Sequence, residues 1–203
     1  GNYSDPVRHI AQVMSIYSYE LSLSSPLIDA DSQKQDMGAF PEPEEYQAYF
    51  GNTAKLILNP GTYYDYNVIV TVPIRITGLP EYNTEFSISG KSGFAWEADG
   101  AVEKVNFLNA DKGIMHSGGQ LNVIDCVFRN SVSAAVSSTA PGLFMDNDTI
   151  ENSSAEGIRL QDGECEIRNT SFLNNGTIAI SCRGHSKPVI SNCEFTENQT
   201  SIL

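Results

Sequence analysis

The side chains in this chain most able to do chemistry are carboxylates. Asp146, Asp148 and Glu151 stand close together, and Asp162, Glu164 and Glu166 follow. Clustered carboxylates suit a hard divalent cation such as Ca²⁺, which takes about six to eight oxygen ligands. Arg168 is the nearest basic partner by pattern, with Arg129, Arg159 and Arg183 the other arginines of the same region. The plainer reading of the same residues is a solvated acidic face, with Asp146 and Arg168 forming a surface ion pair. His116 and His9 have no recognisable partners in the sequence, and His185 sits in Arg183-Gly184-His185-Ser186.

The elements that must carry these groups are set by a repeat. Phe107, Phe128, Ile150, Phe172 and Phe195 follow one another at spacings of about 22 residues. Two residues before them stand Val105, Cys126, Asp148, Thr170 and Cys193. Five before stand Val102, Val123, Met145, Ile167 and Ile190. Two after the first four stand Asn109, Asn130, Asn152 and Asn174, with Glu197 at the fifth. A fixed period of this length means that each repeat is one unit burying its apolar face against its neighbours. Inside a repeat the apolar residues lie two or three apart in short runs broken by Asn, Ser and Gly, which predicts short strands rather than a helical face. The dense leucine pattern of leucine-rich repeats is missing. Stacked turns put equivalent residues in ladders about 4.8 Å apart. Asn tolerates the left-handed backbone of a sharp corner, and stacked Asn side chains can hydrogen-bond along the ladder. Asp148 is the odd member of an inward column, so its carboxyl must be hydrogen-bonded, shifted in pKa or turned outward.

The motifs NCEFTEN (192–198), NTSFLNN (169–175) and DCVFRN (125–130) resemble the right-handed parallel β-helix repeat of the pectin-lyase-like superfamily. KLILNPGTYYDYNVIVTVPIRITG (55–78) looks like the opening rungs of many extracellular β-helix proteins, where a short cap helix precedes a P-G-T-Y turn. The resemblance implies the fold; that fold carries lyases, hydrolases, epimerases and non-catalytic modules alike. For a lyase it implies carboxylates on successive rungs holding Ca²⁺, with an Arg or Lys as base; Asp146, Asp148, Glu151 and Arg168 are the residues here that could take those places. Gly184-His185 is faintly similar to the G-H-G stretch of β-helix polygalacturonases. Ser186 replaces the second Gly, and the paired acid and base that an inverting hydrolase needs cannot be assembled.

Composition narrows the partners. The chain has 203 residues and a formal charge of -13, with a pI near 4.5. Nucleic acid and anionic membrane surfaces are therefore poor partners, and an anionic polysaccharide would need a bridging cation. No apolar run is long enough to span a membrane. The chain starts at Gly1 without an initiator Met, which fits a processed mature chain or a trimmed piece. Cys126, Cys165, Cys182 and Cys193 show no metal-type spacing. Cys126 and Cys193 share a column three rungs apart, about 14 Å, too far to bridge. All four read as small buried apolar residues, with a bridge through Cys165 or Cys182 left open. Trp96, the single tryptophan, reads as a core or rung-end residue ahead of a sugar-stacking one.

The expected architecture is all-β: a single-stranded right-handed parallel β-helix of six or seven rungs over 51–203, after an N-terminal extension and cap helix over 1–50. Asp5 and Pro6 would open one helix, and 44–50 would form the cap. Sequons at Asn147, Asn169 and Asn175 are the candidates for glycosylation, while Asn152 is expected to point inward. The terminal rung carries no polar cap, so Phe195, Ile202 and Leu203 are the expected assembly end, by head-to-tail stacking or because further rungs follow. No residue is assigned as catalytic and no cofactor as required. The reading is a non-catalytic extracellular or secreted module, structural or glycan-facing, with itself or a glycan as partner. The alternative is a Ca²⁺-dependent polysaccharide lyase or other polysaccharide-degrading enzyme.

Overall fold

The computed structural model describes residues 54–64, 68–79 and 83–203. The extension over 1–50 and its two expected helices lie outside the described residues. Within them the elements are all strands: β1 (Ala54–Leu58), β2 (Gly61–Tyr64) and β3 (Val68–Val70); β4 (Ile74–Gly78), β5 (Thr84–Ser87) and β6 (Phe94–Trp96); β7 (Gly100–Glu103), β8 (Asn106–Leu108) and β9 (Lys112–His116); β10 (Leu121–Ile124), β11 (Val127–Arg129) and β12 (Ala134–Ser138); β13 (Leu143–Asp146), β14 (Thr149–Glu151) and β15 (Glu156–Gln161); β16 (Glu164–Arg168), β17 (Ser171–Leu173) and β18 (Ile178–Arg183); then β19 (Lys187–Ser191) and β20 (Glu194–Thr196). Every third strand pairs. The first sheet runs β1-β4-β7-β10-β13-β16-β19, the second β2-β5-β8-β11-β14-β17-β20, and the third β3-β6-β9-β12-β15-β18. Pairing is parallel, as in β11 with β14 and β13 with β16. The chain is thus a three-sided coil of six full turns, with a seventh begun by β19, β20 and the bridge Ile180↔Ile202.

The repeat read from the sequence is the register of the coil. Phe107, Phe128, Ile150, Phe172 and Phe195 are successive partners in the second sheet. The column continues downward through Phe86 and Tyr63, so Pro60-Gly61 leads directly into a strand. The rings stack with centroids 4.9 Å apart for Phe107–Phe128 and 5.0 Å for Phe172–Phe195. Ile150 interrupts them with an aliphatic layer. Each fully buried side chain of this kind contributes roughly 1.5–3 kcal/mol. Phe86, Ile88, Phe94 and Trp96 are all buried, and the Trp96 indole donates to the Ala98 carbonyl at 2.6 Å. Trp96 is therefore core and unavailable to a sugar.

From the third turn on, two corners of each turn are made by one left-handed residue. Asn109, Asn130, Asn152, Asn174 and Glu197 have φ of 52–57°. Asn130 donates to Asn109, and Asn174 to Asn152, along the outside. A second set, Lys104, Asp125, Asn147, Asn169 and Asn192, has φ of 50–58° and separates the first sheet from the second. A single left-handed residue swings the next side chain inward. That places Val105, Cys126, Asp148 and Thr170 at one inner corner and Ala110, Ser131, Ser153 and Asn175 at the other, all buried.

Entry to the third sheet needs small residues. A Cβ on Gly113 would lie 2.7 Å from the Phe128 ring. Gly113, Ala135, Gly157 and Ala179 all fall at this inward position. The register is unchanged through this position: Ala134 pairs with Glu156 and Val136 with Ile158, while Ala135 and Gly157 between them are left out of the ladder. Glu156, Gly157 and Ile158 are buried in succession, so the in-out alternation is broken at Glu156.

Candidate functional site

The register brings Asp146 and Arg168 together, as neighbours on β13 and β16. Arg168 Nη2 lies 3.2 Å from Asp146 Oδ2 and Nη1 lies 3.7 Å from Glu166. The guanidinium carbon stands 4.6 Å over the Phe144 ring. The second Asp146 oxygen accepts from Asn169 Nδ2 at 2.7 Å. This half of the expected acidic face is a surface ion pair with an aromatic floor.

The other two carboxylates go elsewhere. Glu151 ends β14, on the second sheet, and pairs with Arg129 one turn below. Asp148 is 2% exposed and faces the interior. Its Oδ1 accepts the Cys126 N–H at 2.8 Å, while Oδ2 is shielded and without a partner. Burial, with the Asp125 and Asp146 charges nearby, pushes its carboxyl well above the usual carboxylate range, against backbone hydrogen bonding from Cys126 and Asp146. Of the outcomes open to an inward carboxylate, it is both hydrogen-bonded and shifted. Among the described residues, no three His, Cys, Asp or Glu side chains converge in a group that could hold a metal.

A denser cluster lies on the outer face of the third sheet. Glu156 is nearly buried because Arg159 and Arg183 both pair with it. Arg183 Nε also donates to Ser181 Oγ at 3.3 Å. Close by, Ser133 donates to Asp111, and Lys112 lies 3.0 Å from it. The Ser133 hydroxyl, with Lys112 and Arg159, holds the Asp111 carboxyl below the usual range against the opposing effect of burial. The outward row through this sheet is Ile69, Ala95, Met115, Ser137, Arg159 and Ser181. The arginines were visible in the sequence, but Glu156 was not singled out.

His116 has partners after all. Its Nδ1 is 2.8 Å from Ser138 Oγ and its Nε2 is 3.0 Å from the Gly119 carbonyl. Nε2–H donates to the Gly119 carbonyl, and the one hydroxyl proton of Ser138 is shared between Nδ1 and the Ala140 carbonyl 3.0 Å away. Burial lowers the imidazole pKa against the hydrogen bond to Gly119. The pair has the composition of a nucleophile and its base. Both members are buried in the coil, where they pack against other turns. His185 is exposed and lies 3.3 Å from Asp162.

Asn147 and Asn169 are exposed at the left-handed corner between the first and second sheets. Their amides donate to Asp125 at 2.6 Å and Asp146 at 2.7 Å. Asn175 is 1% exposed. Its Nδ2 donates to the Ile150 carbonyl at 3.1 Å, and its Oδ1 accepts the Ser153 N–H. It is therefore not open to a glycan, contrary to the expectation. Asn152, expected inside, is exposed at the corner, because the inward residue is the one after it. All four cysteines are free, so the bridge left open for Cys165 or Cys182 is not formed. Burial, then the neighbouring Cys182, pushes the Cys165 thiol up to about 12. Phe195 is partly buried, stacked on Phe172, while Ile202 and Leu203 are exposed. No described helix is long and apolar enough to cross a membrane.

Comparison with curated proteins finds no match, and comparison with solved structures finds none. Residues 88–203 match the family model described as the right handed beta helix region. That match covers more than half the chain and coincides with the stacked parallel turns described above. The chain belongs to the right-handed β-helix family.

Proposed function

We propose that this β-helix is a non-catalytic extracellular module whose outer faces meet glycans. One observation carries the reading: the arginine best placed to serve as a base, Arg168, is held by Asp146, Glu166 and the Phe144 ring. A guanidinium fixed between two carboxylates is held in its charged form and is a poor proton acceptor. The third sheet supplies the surface for a sugar, with a hydroxyl at Ser137 and guanidinium donors at Arg159 and, at the end of the next strand, Arg183. The sequons at exposed Asn147, Asn152 and Asn169 favour an extracellular setting. Self-association is part of the same reading. The apolar surface at Phe195, Ile202 and Leu203 fits a further β-helix layer, which a second copy of this chain would supply.

The test is to incubate the protein with pectin and alginate, with and without Ca²⁺, and follow unsaturated and reducing sugars. No release is expected, together with retention on an immobilised glycan that Arg183→Ala weakens. Ca²⁺-dependent turnover abolished by Asp146→Ala would instead establish a lyase. Light scattering over a concentration series tests stacking, which requires the mass to rise.

A further inference from the structure

Each left-handed corner leaves the N–H of the following inward residue without a strand partner. Side chains from the turn above fill this gap at three places. Asp148 Oδ1 takes the Cys126 N–H, Asn175 Oδ1 takes the Ser153 N–H, and Asn198 Oδ1 takes the Asn175 N–H. The amides do a second thing. Asn175 Nδ2 donates to the Ile150 carbonyl, and Asn198 Nδ2 to the Phe172 carbonyl. In both cases the acceptor lies three residues before the residue whose N–H is bound. At the other corner the Cys126 and Cys193 thiols lie within reach of the equivalent carbonyls, Val102 at 3.5 Å and Ile167 at 3.6 Å, and of carbonyls in their own turns, Ile124 at 3.4 Å and Ser191 at 3.3 Å. The site therefore calls for a donor. At Asp148 the corresponding acceptor is the carbonyl of Val123, and the atom available to donate is Oδ2.

We propose that Asp148 is kept as a neutral carboxylic acid whose Oδ2 hydroxyl donates to the Val123 carbonyl, a proton-held latch between the turns of Cys126 and Asp148. The shielded, partnerless Oδ2 is what a missing proton leaves behind, because a buried polar atom without a bond is strongly disfavoured. The surroundings agree. From the turn below comes the Cys126 thiol, with the Asp125 carboxylate on the outside of the corner, bonded to Asn147. From its own turn comes Asp146, and the turn above contributes the neutral hydroxyl of Thr170. Both carboxylates oppose a third negative charge. The cation of this region, Arg168, stays outside against Asp146. Ionising Asp148 would set an anion against a backbone carbonyl in the core, which loosens this corner first.

The sign follows from linkage. A carboxyl held protonated in the fold gives stability that is fully present below the ordinary Asp value. That stability is lost as pH rises to and through the folded value. Across that window the unfolding constant rises about tenfold per pH unit for one retained proton. The experiment compares denaturant unfolding of the wild type and Asp148→Asn from acid to alkaline pH, with carboxyl-carbon NMR of ¹³C-aspartate wild type alongside. Asp148→Asn should lose this component and be the more stable of the two above the window. One Asp carboxyl signal of the wild type should remain protonated while the others ionise. The idea is overturned if every Asp signal titrates in the ordinary range, or if the two chains share one pH profile. Should Asp148→Asn fail to fold, the wild-type carboxyl titration alone decides.

Discussion

The two inner corners of this coil solve one problem with different chemistry. At the corner between the second and third sheets, Asn175 and Asn198 bridge successive turns with amides, accepting an N–H and donating to a carbonyl. At the corner between the first and second sheets, Asp148 accepts in the same way from Cys126. An amide carries its donor at every pH, whereas a carboxyl carries one only while protonated. Identical backbone geometry can thus be indifferent to pH on one edge of the coil and sensitive on the other. Position alone does not tell what a buried polar residue does; the atom it offers to the turn below decides.

Three changes sharpen or break this contrast. The largest effect belongs to Asn175→Leu, which leaves the Ser153 N–H and the Ile150 carbonyl bare in the core. Bare buried groups of this kind destabilise by about 1–3 kcal/mol each, so urea unfolding should show a loss on the order of 3 kcal/mol. A loss under about 0.5 kcal/mol would mean the amide bridge is incidental. Next comes Asn175→Asp, which moves the acid to the amide corner. Its melting temperature relative to wild type should be highest in acid and fall as pH rises past the ordinary Asp range, with a slope of about 1.4 kcal/mol per pH unit where one proton is retained. A pH-independent difference would break the comparison. The smallest effect is expected for Arg168→Ala. The pair with Asp146 lies on the outside, where such pairs are worth about 0–1 kcal/mol, and a larger loss would show that the outer faces also hold the turns together.

The fold was legible because its periodicity is written in side chains that stack. The column from Phe107 to Phe195 and the Asn column from Asn109 to Asn174 gave the register and one corner. The second corner was hidden because its left-handed residues, Lys104, Asp125, Asn147, Asn169 and Asn192, share a backbone angle while the side chain changes along the column and becomes Asn only from the fifth turn. The Asn152 and Asn175 assignments failed for a related reason: one left-handed residue breaks the in-out alternation of a strand, so the inward residue is the next one along. Glu156 was missed because Glu156, Gly157 and Ile158 are buried in succession, which breaks that alternation again. The partner of His116 could have been found by counting one period forward to Ser138. The pairing of Asp146 with Arg168 was read in just that way.

Parallel sheets ordinarily demand pairing between segments far apart in the chain, which makes them slow to form. Here every ladder bond joins residues only one winding apart, for example Phe128 to Ile150. The entropy of closing such a loop depends weakly on its length and is nearly equal for each winding. Assembly of this molecule can therefore advance like a zipper, each completed layer templating the next. Adding layers lengthens the job without making any single step harder.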